Sequence, residues 1–127
     1  MANDLGKLIL RVTLGVLILL HGIAKITGGT AGVEKMLEGA GLPGFLAAGV
    51  YVGEVLAPIL VIIGFYSRVG AVVIVVNMLF AIILAHRADL FLLTKSGGWA
   101  LELQGFFLFT ALALALIGPG RFGVNQR

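Results

Sequence analysis

The sequence predicts an all-α integral membrane protein, a four-helix bundle, and three observations carry that reading. The chain has 127 residues, 60% hydrophobic and 12% charged, with a mean hydropathy of +1.12. Soluble domains are about 45–50% apolar and about 25% charged. A chain this short cannot hide such an excess in one core, so the excess faces lipid. Four apolar stretches reach the roughly 20 residues that a helix needs to cross a bilayer core of about 30 Å. They are Leu5–Ile26, Gly44–Phe65, Val69–His86 and Trp99–Gly118. Their apolar positions follow a helical period rather than alternating, which argues against a small barrel.

The first stretch reads as a retained helix rather than a cleaved leader. Arg11 interrupts the apolar run, where a leader would be uninterruptedly apolar. Thr27–Pro43 is a longer connection, with glycines and Pro43 around a short helix at Val33–Leu37. In the second helix Pro58 lacks an N–H, which frees the carbonyl of Glu54 and predicts a kink near mid-membrane. Gly49 and Gly53 permit close helix packing one turn earlier. Phe65–Arg68 is a tight turn that makes the second and third helices antiparallel neighbours. Asn77, at the centre of the third helix, reads as an interhelical hydrogen-bonding group. Arg87–Gly98 is a polar loop, and Trp99 fits an interfacial anchor ahead of the last helix. No internal repeat divides the chain, so residues 1–127 read as one transmembrane domain.

Composition also excludes functions. With no cysteine, the chain has no disulfide framework, thiolate metal site or thiol redox chemistry of its own. The net charge of +3 is scattered rather than striped, so no nucleic-acid partner is expected. No metal-ligand cluster, hydrolase triad or phosphate loop is present; Gly118–Pro119–Gly120 ends a helix and follows no strand. With both termini cytoplasmic, Lys7, Arg11, Arg68, Arg121 and Arg127 lie inside. Lys25, Lys35, Arg87 and Lys95 then lie outside, a five-to-four margin that favours this orientation in a prokaryotic inner membrane.

The ionisable groups inside the spans are the candidate site. Arg11, Gly15, Ile18, Gly22 and Lys25 are spaced four, three, four and three apart, so they form one helical stripe flanked by His21. The glycines on that stripe admit a neighbouring backbone, so the stripe points into the bundle. Glu54 sits near mid-membrane, where a charge costs about 2.5–3.5 kcal/mol unless it is paired, protonated or hydrated. His21, Lys25, His86 and Glu102 fall in the half of the membrane opposite Arg11. Two acids, Glu54 and Glu102, and three potential cations are therefore expected to meet around a polar pocket. Plainer readings stand beside this one. Lys25 snorkels to the headgroups, His21 caps a carbonyl, and Glu54 makes a structural ion pair with Arg11 or His21. His86 is then simply interfacial, and Glu102 favours a helix N-terminus.

The ordered set "RVTLGVLILLHGIAKI", "GLPGFLAAGVYVGEVLAPILVIIGFYSRVGA", "NMLFAIILAH", "GGWALELQGFFLF" and "IGPGR" resembles the DoxX family of small four-helix membrane proteins, over nearly the whole chain. The family is related to DoxD, a membrane subunit of thiosulfate:quinone oxidoreductase. The resemblance implies an oxidoreductase-linked role, with recurring polar residues matched here by Arg11, His21, Gly22, Lys25, Glu54, Arg68, His86 and Glu102. The long soluble regions of DoxD-like proteins have no counterpart in this sequence, which argues against an autonomous thiosulfate-oxidising activity.

Three functional classes follow. In a redox-associated subunit, His21 or Lys25 donates to a quinone carbonyl while Glu54 or Glu102 relays protons. A variant of that class uses His21 and His86 as axial ligands of a haem. In a transporter of small molecules or protons, Glu54 is the coupled acid and the Pro58 kink the gate. In a non-catalytic scaffold, the polar cluster only sets helix register, and the protein works as a homo-oligomer or recruits a redox partner subunit.

Overall fold

In the computed structural model, residues 2–29, 31–85 and 91–125 are described. Helix α1 spans Ala2–Gly28, and its buried residues are Arg11, Leu14, Gly15, Ile18 and Gly22. The predicted stripe is thus its inward face. Helix α2, Ala31–Gly39, is a short amphipathic segment that buries Leu37. It lies between glycines with left-handed backbone, Gly29 at φ 81° and Gly41 at φ 80°. Helix α3 covers Gly44–Ile63 and is apolar enough to cross a membrane. Helix α4 is Ser67–Ala85, and α5 is Glu102–Ile117. The protein is an all-α membrane helical bundle, with α1, α3 and α4 long enough to span by themselves. The 16 residues of α5 reach only about 24 Å at 1.5 Å per residue.

Helix α3 is not uniform, and its irregularity follows from Pro58. A proline ring would collide with the carbonyl four residues earlier, that of Glu54. The chain widens instead into a π turn over Val52–Leu56, in which the Ala57 N–H donates to the Val52 carbonyl. A π turn thus stands where the sequence predicts a kink, and π turns of this kind recur at functional sites. A 3-10 turn, Gly44–Ala48, opens the same helix.

At the other end of α3, the last turn leaves carbonyls that have no partner within the helix. Each is accounted for. The Leu60 carbonyl accepts from the N–H groups of Gly64 and Phe65, and that of Ile63 accepts from Val124 N–H at 3.1 Å. Val61 and Ile62 carbonyls accept from Arg11, each at 3.0 Å. The segment after α5 therefore folds back under the α3–α4 turn. Asn125 continues this pairing, its N–H donating to Gly64 O at 3.1 Å and its Oδ1 accepting from Tyr66 N–H at 2.9 Å.

Helices α1 and α3 pack antiparallel and very closely. A Cβ at Gly22 would meet the Glu54 carbonyl oxygen, and one at Gly15 would lie 2.9 Å from the Pro58 carbonyl oxygen. Lipid tails are as apolar as leucine, so shape and hydrogen bonds rather than water exclusion hold such a contact. The core joins Leu14 and Ile18 of α1 to Ala57 and Val61 of α3, Ala71 and Ile74 of α4, and Phe107, Ala111 and Leu114 of α5. Large apolar side chains such as Ile9, Leu20, Ile83, Phe106 and Leu116 remain exposed. A membrane bundle turns such a face toward acyl chains.

Candidate functional site

The register of α1 against α3 brings Lys25 to Glu54. Lys25 Nζ donates to Glu54 Oε1 at 2.8 Å. The Glu54 side chain is 8% exposed and that of Lys25 is 29% exposed, so the acid is the buried member of the pair. The second carboxylate oxygen accepts from Asn77 Nδ2 at 3.4 Å. Tyr51 Oη donates to the Lys25 carbonyl at 3.2 Å and ties the end of α1 to α3. Acid, ammonium and carboxamide thus come from three helices. The π turn carries Glu54 at its centre, and the freed Glu54 carbonyl rests against Gly22.

These groups stand at one side of a cavity of about 550 Å³. His21 and Gln104 are its other polar wall residues, while Ile18, Val50, Met78 and Phe107 are among the apolar ones. Val33, Met36 and Leu37 of α2 contribute a further wall, and Glu34, Lys35 and Glu38 on the same helix are exposed. His21 is held in two ways. Its Nδ1–H donates to the Leu17 carbonyl one turn back at 2.9 Å, and its ring meets Phe107 edge-on, 5.8 Å between centroids.

The other sequence-predicted residues are distributed elsewhere. Arg11 lies fourteen residues before Lys25, about 21 Å along the helix. Its guanidinium donates to the carbonyls of Val61, Ile62 and Pro119, with a longer contact to Phe122. The expected pairing of Glu54 with Arg11 or His21 is replaced by Lys25. Arg68 is exposed, with its guanidinium beside Gly118 at the end of α5. A cation there complements the partial negative charge of a helix C-terminus. Glu102, the first residue of α5, lines a separate groove with Trp99, Gly105, Phe106 and Leu10. It is therefore apart from the Lys25–Glu54 pair, since α5 turns Leu103, Gln104 and Phe107 toward the cavity. His86 lies outside the described residues. Among the described residues no group of acids and histidines is arranged to hold a metal ion.

Asn77 was legible as an interhelical group but not as the partner of Glu54. The signal lies in Gly53: a Cβ there would fall 2.5 Å from the Asn77 side-chain carbonyl carbon. A glycine one residue before a mid-membrane acid thus makes room for a polar side chain from the next helix. The wall contributed by α2 had no signal beyond the apolar face of Val33, Met36 and Leu37.

A helical membrane bundle with a hydrogen-bonded ion pair beside a mainly apolar cavity defines the class of protein. More particularly, the chain belongs to the DoxX family, whose family model matches residues 6–87. It is similar to "Inner membrane protein YqjF" of Escherichia coli (strain K12), with 28% identity over 98% of this chain and 92% of the relative. It is also similar to "Putative oxidoreductase CatD" of Bacillus subtilis (strain 168), with 30% identity over 91% of this chain and 81% of the relative. No solved structure gives a significant match.

Proposed function

We propose that this protein is a redox-associated membrane subunit that binds a quinone headgroup beside Lys25, Glu54 and Asn77. The observation that carries the reading is the paired acid and ammonium, with a carboxamide, at the wall of an apolar cavity of about 550 Å³. Ligand sites are commonly about 300–1,000 Å³, mainly apolar, with a few converging polar groups. Lys25 keeps ammonium protons beyond the one given to Glu54, and Asn77 has a second amide proton. Both suit the carbonyl oxygens of a quinone. Reduction of a quinone to its quinol consumes two electrons and two protons. In this reading Lys25 and Glu54 pass the protons. The chain has no cysteine to hold an iron–sulfur cluster, and in this reading a partner redox subunit supplies the electrons. The oxidoreductase name of the Bacillus relative supports the redox role, and the name of the Escherichia relative supports an inner-membrane location. Both termini are assigned to the cytoplasmic side. Asp4 and Arg121 share one end of the bundle, where Arg121 N–H donates to Asp4 Oδ1 at 3.1 Å.

The test is quinone retention. Purified from quinone-replete membranes into nanodiscs, the protein is expected to carry extractable quinone, and Glu54→Gln and Asn77→Leu are expected to lose most of it. A preparation that carries none and takes up none when quinone is added refutes the proposal.

A further inference from the structure

The cavity reaches the outer surface between two helices that are apolar enough to cross a membrane, α3 and α4. Leu46 and Gly49 of α3, with Val76 and Phe80 of α4, line it and are themselves exposed. Residues that belong both to a cavity wall and to the surface mark its rim. Between them, the two helices change from contact to separation within one turn of α3. At Gly53 an added Cβ would strike Asn77, whereas at Gly49 it would meet nothing within 4 Å. Phe80 is 53% exposed on the facing side. Exposed wall residues also occur on α1, α2 and α5, at His21, Met36 and Leu103, but the α3–α4 side is where the walls part directly beside Asn77 and Glu54. Toward the base, the core residues Leu14, Val61 and Leu114 fill the bundle down to the Arg11 cluster. Toward the opposite headgroup layer, α2 presents Val33, Met36 and Leu37 to the cavity.

We propose that Gly49 and Phe80 frame a lateral portal, through which a bilayer-dissolved amphiphile with a flat polar head and a long apolar tail enters head first. The head reaches Asn77, Glu54 and Lys25, and the tail stays beside Val76 and Phe80 among the acyl chains. This inference rests on the quinone reading and adds the route and the tail to it.

The open space at Gly49 makes the test selective. Gly49→Trp adds an indole at the rim where a Cβ fits without displacing backbone, and Gly49→Ala is the control. In nanodiscs, a menaquinone with a long isoprenoid tail and tailless menadione serve as probes. Gly49→Trp is expected to slow association of the tailed probe about tenfold or more, with Gly49→Ala matching the parent and menadione affinity kept within about twofold. Unchanged association of the tailed probe in Gly49→Trp overturns the portal. If Gly49→Trp loses both probes at equilibrium, the indole fills the cavity and Phe80→Ala decides. Faster association of the tailed probe then supports the portal, and an unchanged rate overturns it. A parent that binds menadione but not the tailed quinone overturns the portal and leaves the quinone reading standing. A parent that binds neither ends both.

Discussion

Replacing Arg11 with methionine tests how the base of the bundle is held. Arg11 is 1% exposed. Its donors reach Val61 O at 3.0 Å, Ile62 O at 3.0 Å and Pro119 O at 2.9 Å, with Phe122 O farther off at 3.4 Å. A hydrogen bond from a charged donor contributes about 1.5–3 kcal/mol, so the three short bonds contribute about 4.5–9 kcal/mol together. These contributions are already net of desolvation and are not fully additive, and removal of one partner from a buried charged contact costs about 3–5 kcal/mol, so the loss is taken at the low end, about 4–5 kcal/mol. The loss is specific in location, because the carbonyls at the end of α3 and the segment after α5 both lose their shared donor. In detergent, Arg11→Met is expected to lower Tm by about 10 °C or more and to expose residues 118–125 to protease. Arg11→Lys restores less than half, since one ammonium cannot reproduce the planar fork that reaches separated carbonyls. Thermal unfolding followed by Trp99 fluorescence, with limited proteolysis alongside, reads both effects. A methionine variant within about 2 °C of the parent, with an equally protected C-terminal segment, refutes the reasoning.

Three further outcomes follow from the same geometry. Gly22→Ala is expected to cost about 2–3 kcal/mol, because its Cβ meets the backbone carbonyl of Glu54 and α1 must move off α3. Gly49→Ala, with open space around it, is expected to be neutral or to gain up to about 1 kcal/mol; equal costs in denaturant titration would contradict this packing. Lys25→Met leaves the buried Glu54 carboxylate without its ammonium and is expected to cost about 2–4 kcal/mol, below the fully buried case because Lys25 is 29% exposed. Adding Glu54→Gln is expected to recover at least half, so additive losses in a double-mutant cycle would show that the pair is not coupled. Tyr66 holds φ at 49°, a region that asparagine tolerates better. Tyr66→Asn is expected to keep or raise Tm, and a fall beyond about 4 °C would count against strain at this turn.

The sequence by itself determined the membrane class and the face of α1 that turns inward. Lipid demands long apolar runs with satisfied backbones, and the spacing of Arg11, Gly15, Ile18, Gly22 and Lys25 is helical arithmetic that needs no partner. It also located the backbone irregularity, because Pro58 removes one N–H wherever the helix packs. Which cation meets Glu54 was decided only in three dimensions. Arg11, His21 and Lys25 are all competent donors on one helix, and the choice depends on how far α1 slides along α3. That register is set where Gly22 receives the Glu54 carbonyl and Gly15 the Pro58 carbonyl. Once those backbones touch, Lys25 falls opposite the carboxylate and Arg11 opposite the open end of α3. The separation of Glu102 from this pair likewise depends on the rotation of α5, and the cavity wall on where α2 folds back. These are contacts between distant segments, and no local pattern encodes their distance.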